Sequence, residues 1–427
     1  MNILYDNYLT LVGILKYYFS IKKACFRPRQ VVEAEQYRKL HMLLNICYNE
    51  VPYYQELFKK IDFIPNRDFK SLNDLKKIPI TTKQIVRKYP EHFHNKRLIN
   101  KSIIFKTSGS TGNPLISYVS PNQWIIEQAV IWRHWAWAGY RFRDKMAIVR
   151  SYAPKDGVLI KQDKIRNFRY YSPFNLTEEN IKYYLQDMVT ENVKFLRGYP
   201  SSLKELALYV LKHNPQIPIL KGILVASEIL SDGDRGIIEH AFNTKIFNHY
   251  GLAEGIVMFG DCEMHRGLHN YDEYGYLELL DTDCENVKEI IGTNLNNYTM
   301  PLLRYQTGDF ASVEKGDFCS CQRNSRIVKN VIGRSSMVLE FDEVKIPLTN
   351  FYTLLEHFET MDGWQIIQHP GRSVELIVQG FLSDEDVTKI KNGFNQRLPM
   401  DTDFYISINK PFILKNEGKK NPFVNLK

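Results

Sequence analysis

The sequence predicts an α/β protein with a large N-terminal domain of several subdomains, built on mixed, mainly parallel sheets, and a small C-terminal α+β domain. Three observations carry this. Lys221–Ala226, Asp234–Ala241 and Lys245–Tyr250 read as strand, helix and strand, the alternation that builds parallel sheets. After Gly267 the texture changes to shorter alternating strands, as in Gly275–Leu280 and Lys288–Asn294. From about Ser335 the pattern alternates again, with strands at Val338–Phe341, Val374–Gln379 and Asp403–Ile408 and helices at 349–359 and 384–397. A chain of 427 residues has room for two or three domains.

Taken in order, Tyr8 to Phe26 reads as an amphipathic helix with Leu11, Ile14, Leu15, Tyr18 and Ile21 on one face. Asp6 before it, Lys16 within it and Lys22-Lys23 behind it do not fit a signal peptide, and the apolar length is below the roughly 20 residues of a membrane span. The apolar face packs on the protein itself or touches a membrane surface or partner. Val31 to Lys60 is helical with a break at Val51-Pro52, and a new helix starts at Thr82-Lys83. Ser102–Lys106 and Leu115–Val119 are strands around a Ser/Thr/Gly loop. Helices follow at 121–138 and 176–191, then a strand at Lys194–Gly198 and a helix at Ser201–Lys212. The expected domains are 1–30 as an N-terminal helix, 31–334 as the large domain and 335–427 as the small, mobile one.

Composition narrows the function classes. Hydrophobic residues make up 44% and charged residues 24%, ordinary values for a folded globular protein. The net charge of +8 is spread along the chain rather than gathered in a basic block, so no nucleic-acid partner is expected. Four of the six cysteines lie between Cys262 and Cys321, which is not a disulfide framework and points to a reducing, cytoplasmic setting.

Five segments carry candidate chemistry. Thr107-Ser108-Gly109-Ser110-Thr111-Gly112, between two strands, offers hydroxyls and close-approaching backbone to a polyphosphate, although Asn113-Pro114 departs from a Walker loop. In Asn248-His249-Tyr250-Gly251-Leu252-Ala253-Glu254, a carboxylate can hold Mg²⁺ and a tyrosine ring can stack on a purine. Asp309, after the Pro301–Gly308 run, can accept both hydroxyls of a ribose. Gly333-Arg334 falls at the last change of texture, and Glu417-Gly418-Lys419-Lys420 lies near the C-terminus. Separately, Cys262, His265, His269, Cys319 and Cys321 supply thiolates and imidazoles suited to tetrahedral zinc.

In this order the five segments resemble those of the adenylate-forming superfamily of acyl- and aryl-CoA ligases. The N-terminal part, with Gln36, Val51-Pro52-Tyr53-Tyr54 and Ile78-Pro79-Ile80-Thr81-Thr82-Lys83, is similar to the phenylacetate-CoA ligase branch, including members from capsular-polysaccharide clusters. The resemblance implies the adenylate-forming enzyme fold and a ligase using ATP and Mg²⁺. Such an enzyme converts a carboxylic acid to an acyl-adenylate and passes it to coenzyme A or to an amine or sugar. It further implies that residues 107–112 hold phosphates, that Ser227, Glu228, Tyr250 and Gly251 lie by the adenine, and that Glu254 binds Mg²⁺. Asp309 would take the ribose with Arg304 and Arg334 nearby, and Lys419 would reach the α-phosphate. For the acyl group the expected contacts are Tyr152, Tyr199 and Ala226. Because Leu268-His269 matches the branch pattern, the zinc ligands it implies are Cys262, His269, Cys319 and Cys321.

Two positions depart from the family pattern. Ala253 stands where a hydroxyl residue is usual, and Met337 where the hinge usually has Asp. They support a second reading, a non-catalytic nucleotide-binding or scaffold protein of the same fold.

Overall fold

The computed structural model describes residues 8–426 apart from 107–114, 153–157, 174–175, 229, 231, 283–285, 315–318, 334–337, 343, 348–350, 352–353, 356–357, 359, 416–418 and 421–422. The chain divides into two units, residues 1–103 with 118–331, and residues 104–117 with 332–427.

In the first unit, helix α1 (Tyr8–Ile21) is followed by α2 (Arg29–Glu50) and α3 (Pro52–Lys60), divided where Pro52 takes the first helical position. Short helices α4 (Pro65–Asp68) and α5 (Lys83–Lys88) come next, and the Thr82 side chain caps α5 by accepting from the Ile85 amide. Strands β1 (Ile103–Lys106) and β2 (Ile116–Val119) pair with each other and lie mostly in the 104–117 segment of the second unit, and the first unit resumes with α6 (Pro121–Trp137), which begins at a Ser120 cap.

The centre of the unit is a nine-stranded sheet. It contains β3 (Met146–Val149), β4 (Ile160–Asp163), β5 (Phe168–Tyr171), β6 (Phe195–Gly198), β7 (Gly222–Ala226), β8 (Ile246–Gly251), β9 (Met258–Asp261), β10 (Leu268–Asn270) and β14 (Ile327–Val328). Its order is β14-β10-β9-β8-β7-β6-β3-β5-β4. The neighbours β5, β3, β6, β7 and β8 run parallel, and antiparallel pairs close both edges. Both faces are covered, which is why β7 reads as an unbroken apolar run. Ile223 and Val225 pack toward α7 (Glu178–Thr190), α8 (Pro200–His213) and α9 (Asp232–Phe242), whereas Leu224 packs toward α6. An antiparallel sheet of β11 (Gly275–Asp281), β12 (Val287–Asn294), β13 (Tyr305–Ser312) and β15 (Asn330–Gly333) forms the second layer system of the unit.

The N-terminal helix resolves one expectation. Ile14 and Ile21 are buried in the cluster that holds Ile126, Ala129 and Val130 of α6, so the apolar face is covered by the protein itself. Val12 and Phe19 remain exposed outside that face. Among the described residues no helix is long and apolar enough to cross a membrane.

The second unit contains a mixed four-stranded sheet. Strands β18 (Met361–Gln368) and β19 (Ser373–Gly380) pair antiparallel, β20 (Asp403–Ile408) joins β19 in parallel, and β23 (Phe423–Asn425) joins β18 in parallel. Helix α10 (Asp384–Asn395), opened by a Ser383–Asp386 capping box, buries Ile390 and Phe394 against this sheet. Two small ribbons complete it, β16 (Val338–Glu340) with β17 (Lys345–Pro347) and β21 (Leu414–Lys415) with β22 (Lys419–Lys420). Strand β18 has no counterpart in the sequence reading, and most of the helix expected at 349–359 lies outside the described residues.

Candidate active site and metal centre

Ligands in open α/β sheets sit beyond the carboxyl ends of the parallel strands, and the expected nucleotide residues of the first unit gather there. Tyr250 is near the end of β8, and its hydroxyl donates to Asp309 Oδ2 at 2.7 Å. Asp309 lies within β13 rather than after a free turn. The β12–β13 register shifts between Glu289 and Ile291, and Gly308 adopts φ +77° in the resulting bulge. The bulge is held by Thr307, whose hydroxyl donates to the Ile290 carbonyl at 2.7 Å and accepts from the Asp309 amide at 3.1 Å.

Glu254 is buried, and its Oε1 receives the Tyr305 hydroxyl at 3.1 Å and faces Lys83 Nζ at 3.3 Å. A single buried carboxylate suits Mg²⁺, which takes one or two carboxylates and completes its shell with water and substrate phosphates. Lys83 and Tyr305 were not singled out from sequence as site residues. The signal was there, since both lie in segments read as motifs.

Gly255 follows at φ +68°, and a Cβ there would meet the Tyr274 hydroxyl, Asn294 Nδ2 and Gln123 Nε2 at 3.1–3.3 Å. Beneath it, Tyr274 donates to Glu127 at 3.0 Å. Burial pushes the Glu127 carboxyl up to about 7, with the Tyr274 hydrogen bond pulling it partly back. The unfolded chain releases this proton near the ordinary 4.5, so stability should fall as pH rises from there through about 7. Glu127→Gln removes the titration. Its melting temperature should therefore gain on wild type between about pH 5 and about pH 8, and a gap that does not change with pH would refute the assignment.

Other expected site residues are placed differently. Arg304 is buried, with its guanidinium on Glu278 at 3.0–3.1 Å and on the Ile78 carbonyl at 2.7 Å. It positions the 76–81 segment, which the Thr81 amide ties to the Arg304 carbonyl at 3.0 Å, and so it is not directed at a ribose. The Glu228 carboxylate accepts from the Ser201 amide and hydroxyl, both at 3.0 Å, at the start of α8. Ser227, at φ +76°, accepts from Arg150 at 3.1 Å. Tyr199 and Ser151 share a hydrogen bond of 2.6 Å, and the Tyr152 hydroxyl donates to the Val158 carbonyl. The 107–112 loop, Arg334 and Met337 lie outside the described residues. Lys419 begins β22, opposite Lys415.

The sulfur and imidazole residues form a second centre. Cys262 directly follows β9, His269 is the middle residue of β10, and Cys319 and Cys321 precede β14, so the centre knits one edge of the nine-stranded sheet. One ligand atom from each of the four lies within 4.8 Å of the others. Cys262 and Cys319 Sγ are 3.5 Å apart, and Cys321 Sγ is 3.4 Å from His269 Nε2. Tetrahedral zinc with sulfur at about 2.3 Å places its ligands roughly 3.8 Å apart, so the set fits. His269 Nδ1 pairs with Ser325 at 3.0 Å, which orients Nε2 toward the sulfurs. Burial and the Arg323 charge hold the imidazole down to about 4, keeping it neutral as a ligand must be. His265 is turned away at φ +50°, with Nδ1 3.9 Å from Asp261 and its ring against Phe247.

No family model matches the chain. It is 24% identical over 437 residues to Protein CapK of Staphylococcus aureus, covering 96% of this chain and 92% of that one. It is 25% identical to phenylacetate-coenzyme A ligase of Thermus thermophilus, with coverage of 80% and 79%, and 24% identical to that of Escherichia coli, with coverage of 91% and 93%. Among solved structures it resembles 2-hydroxyisobutyryl-CoA ligase in complex with 2-HIB-AMP and CoA in the thioesterification state. The TM-score is 0.62 at 15% identity, covering 94% of this chain and 91% of that one. The open conformation of that ligase gives 0.58.

A large mixed, mainly parallel sheet and a small C-terminal unit with a mixed sheet make this the adenylate-forming fold. Over most of its length the chain is similar to CapK and to phenylacetate-CoA ligases, and it has the fold of the adenylate-forming ligases.

Proposed function

We propose that the chain activates a carboxylic acid with ATP and Mg²⁺, releasing pyrophosphate and holding an acyl-adenylate, and then transfers the acyl group to an acceptor. The observation that carries this reading is the pairing of Tyr250 with Asp309 beside the buried Glu254. It brings a flat ring, a ribose-type acceptor and a metal-type carboxylate together from β8, β13 and the turn after β8. Attack of a carboxylate on the α-phosphate brings two anions together, so charge neutralisation and positioning carry the catalysis and no general base is required. When bound, Mg²⁺ supplies a Lewis acid at the phosphates. Glu254 would hold it, Lys83 and Tyr305 fix the carboxylate, and Tyr250 and Asp309 orient the nucleoside. Ser227, Glu228 and Gly251 border this region, residues 107–112 and Arg334 complete it by resemblance, and Lys419 supplies the mobile charge.

The acceptor is coenzyme A, as the relatives' names suggest for those enzymes, or an amine or sugar of a surface polysaccharide, as the resemblance to the capsular-cluster branch suggests. The four-residue Cys/His centre is assigned a structural zinc, and a reducing cytoplasmic setting suits its free thiols. The test is incubation with ATP, Mg²⁺ and a panel of carboxylic acids. AMP and pyrophosphate are expected, and ADP would overturn the reading. Glu254→Gln should cut pyrophosphate release by about 10²-fold, because a metal ligand is lost.

A further inference from the structure

The strands of the central sheet place four side chains in one row. In β3, Met146 and Ile148 face α6 while Ala147 and Val149 face away, so Arg150 follows on the α6 side. The same alternation puts Leu224 and Ala226 of β7, and Phe247 and His249 of β8, on that side. The register pairs Val149 with Gly198, Gly198 with Val225, and Ala226 with His249. Arg150, Tyr199, Ala226 and His249 therefore stand side by side across the carboxyl ends of β3, β6, β7 and β8, with Arg197 one row deeper.

The chemistry of the row is cationic. The Arg150 guanidinium lies over the Tyr199 ring at 4.9 Å and reaches Ser227 Oγ, so among the described residues its partners are a ring and a hydroxyl. Arg197 lies over the Trp135 ring of α6 at 4.7 Å. His249 Nε2 and, facing it from α6, His134 Nε2 are buried with no hydrogen-bond partner among the described residues, and the two rings are 5.5 Å apart. Burial first, and then the Arg197 and Arg150 charges, hold the His249 imidazole down to about 3. Nearby, Glu228 is engaged with Ser201 and Asp261 with Arg235. Between Tyr199 and His249, the methyl of Ala226 leaves the shallowest point of the row.

We propose that the acid this chain activates carries a second anionic group, read by Arg150 with His249 beside it, while its reacting carboxylate points toward the nucleotide. The proposal rests on the ligase reading and names the substrate class of that same site. A guanidinium that among the described residues meets a ring and a hydroxyl, in a partly dry row, favours an anion, and a buried imidazole nitrogen with no hydrogen-bond partner among those residues favours a hydrogen-bonding rather than an aliphatic or phenyl tail.

The experiment is ATP–pyrophosphate exchange by the full chain with succinate, glutarate and adipate against butyrate, valerate, hexanoate and phenylacetate. Dicarboxylates should exceed the monocarboxylates of equal length by at least about 10-fold in kcat/KM. Arg150→Leu should bring that ratio to near one, and Arg150→Lys should restore part of it, with the KM for ATP little altered in both. Equal or better exchange with hexanoate or phenylacetate in the wild type overturns the proposal while leaving the ligase reading intact. Loss in Arg150→Leu through the KM for ATP also overturns it, by moving Arg150 to the nucleotide. Silence from the whole panel counts against it too. ATP binding measured in parallel by calorimetry then separates loss of the acid assignment from loss of the ligase reading, since only the latter predicts that ATP does not bind.

Discussion

Lys419→Ala should lower acyl-adenylate formation on the order of 10³-fold while leaving consumption of a chemically made acyl-adenylate nearly intact. The reasoning is electrostatic. An attacking carboxylate and a polyphosphate repel, and a lysine ammonium at the α-phosphate removes much of that repulsion in the first half-reaction. In the second half-reaction the attacking group meets a carbonyl and the leaving group is AMP, so the same charge matters far less. Lys419 belongs to the second unit, whereas Glu254, Tyr250 and Asp309 belong to the first, so this charge is not held on the same unit as the metal and ribose residues. Two single-turnover assays, one for each half-reaction, provide the measurement. Equal loss in both would mean that one fixed arrangement serves both steps, and the assignment of Lys419 to adenylation would have to be dropped.

Removal of the metal from the Cys/His centre should lower the melting temperature by about 10 °C or more, and purified protein should contain close to one zinc per chain by elemental analysis. The four ligands come from the end of β9, the middle of β10 and the segment before β14, so a bound ion ties three edge strands that otherwise rest on a few ladder hydrogen bonds. Without it, three thiols and an imidazole are left packed together. Burial raises the Cys262 thiol well above its ordinary value. For Cys321, burial is outweighed by hydrogen bonds from the backbone and side chain of Arg323. Cys319→Ser is the informative variant, because Cys319 is only half-buried and its replacement removes a ligand without opening the core. It should lose both zinc and thermal stability. An unchanged melting temperature after complete zinc removal would falsify a structural role.

How much of this was legible in the chain can be seen residue by residue. The parallel core was legible because strands covered on both faces must be apolar throughout, and Gly222–Ala226 is. The strands at 146–149 and 168–171 were not, since each is four residues long and the latter carries Arg169 and two tyrosines that read equally well as loop. Strand β13 was hidden for a different reason. Its bulge gives Thr307-Gly308-Asp309 the composition of a turn while the ladder continues on both sides.

The sequence by itself determined which residue types could carry the chemistry and the order in which they occur, because a carboxylate for magnesium, an acid for ribose and thiolates for zinc are matters of side-chain chemistry. Tertiary structure alone decided which copies of those residues meet. Arg304 sits one residue before a site tyrosine, yet pairing of residue 81 with β13 draws its guanidinium onto Glu278 and the carbonyl of Ile78. His265 and His269 are four residues apart and chemically equal, but a left-handed turn sends one to Asp261 while β-pairing on both sides carries the other to the sulfurs. The row of Arg150, Tyr199, Ala226 and His249 draws on four separate strands. Only strand order and register, set by long-range burial rather than by local spacing, bring those four side chains to one edge.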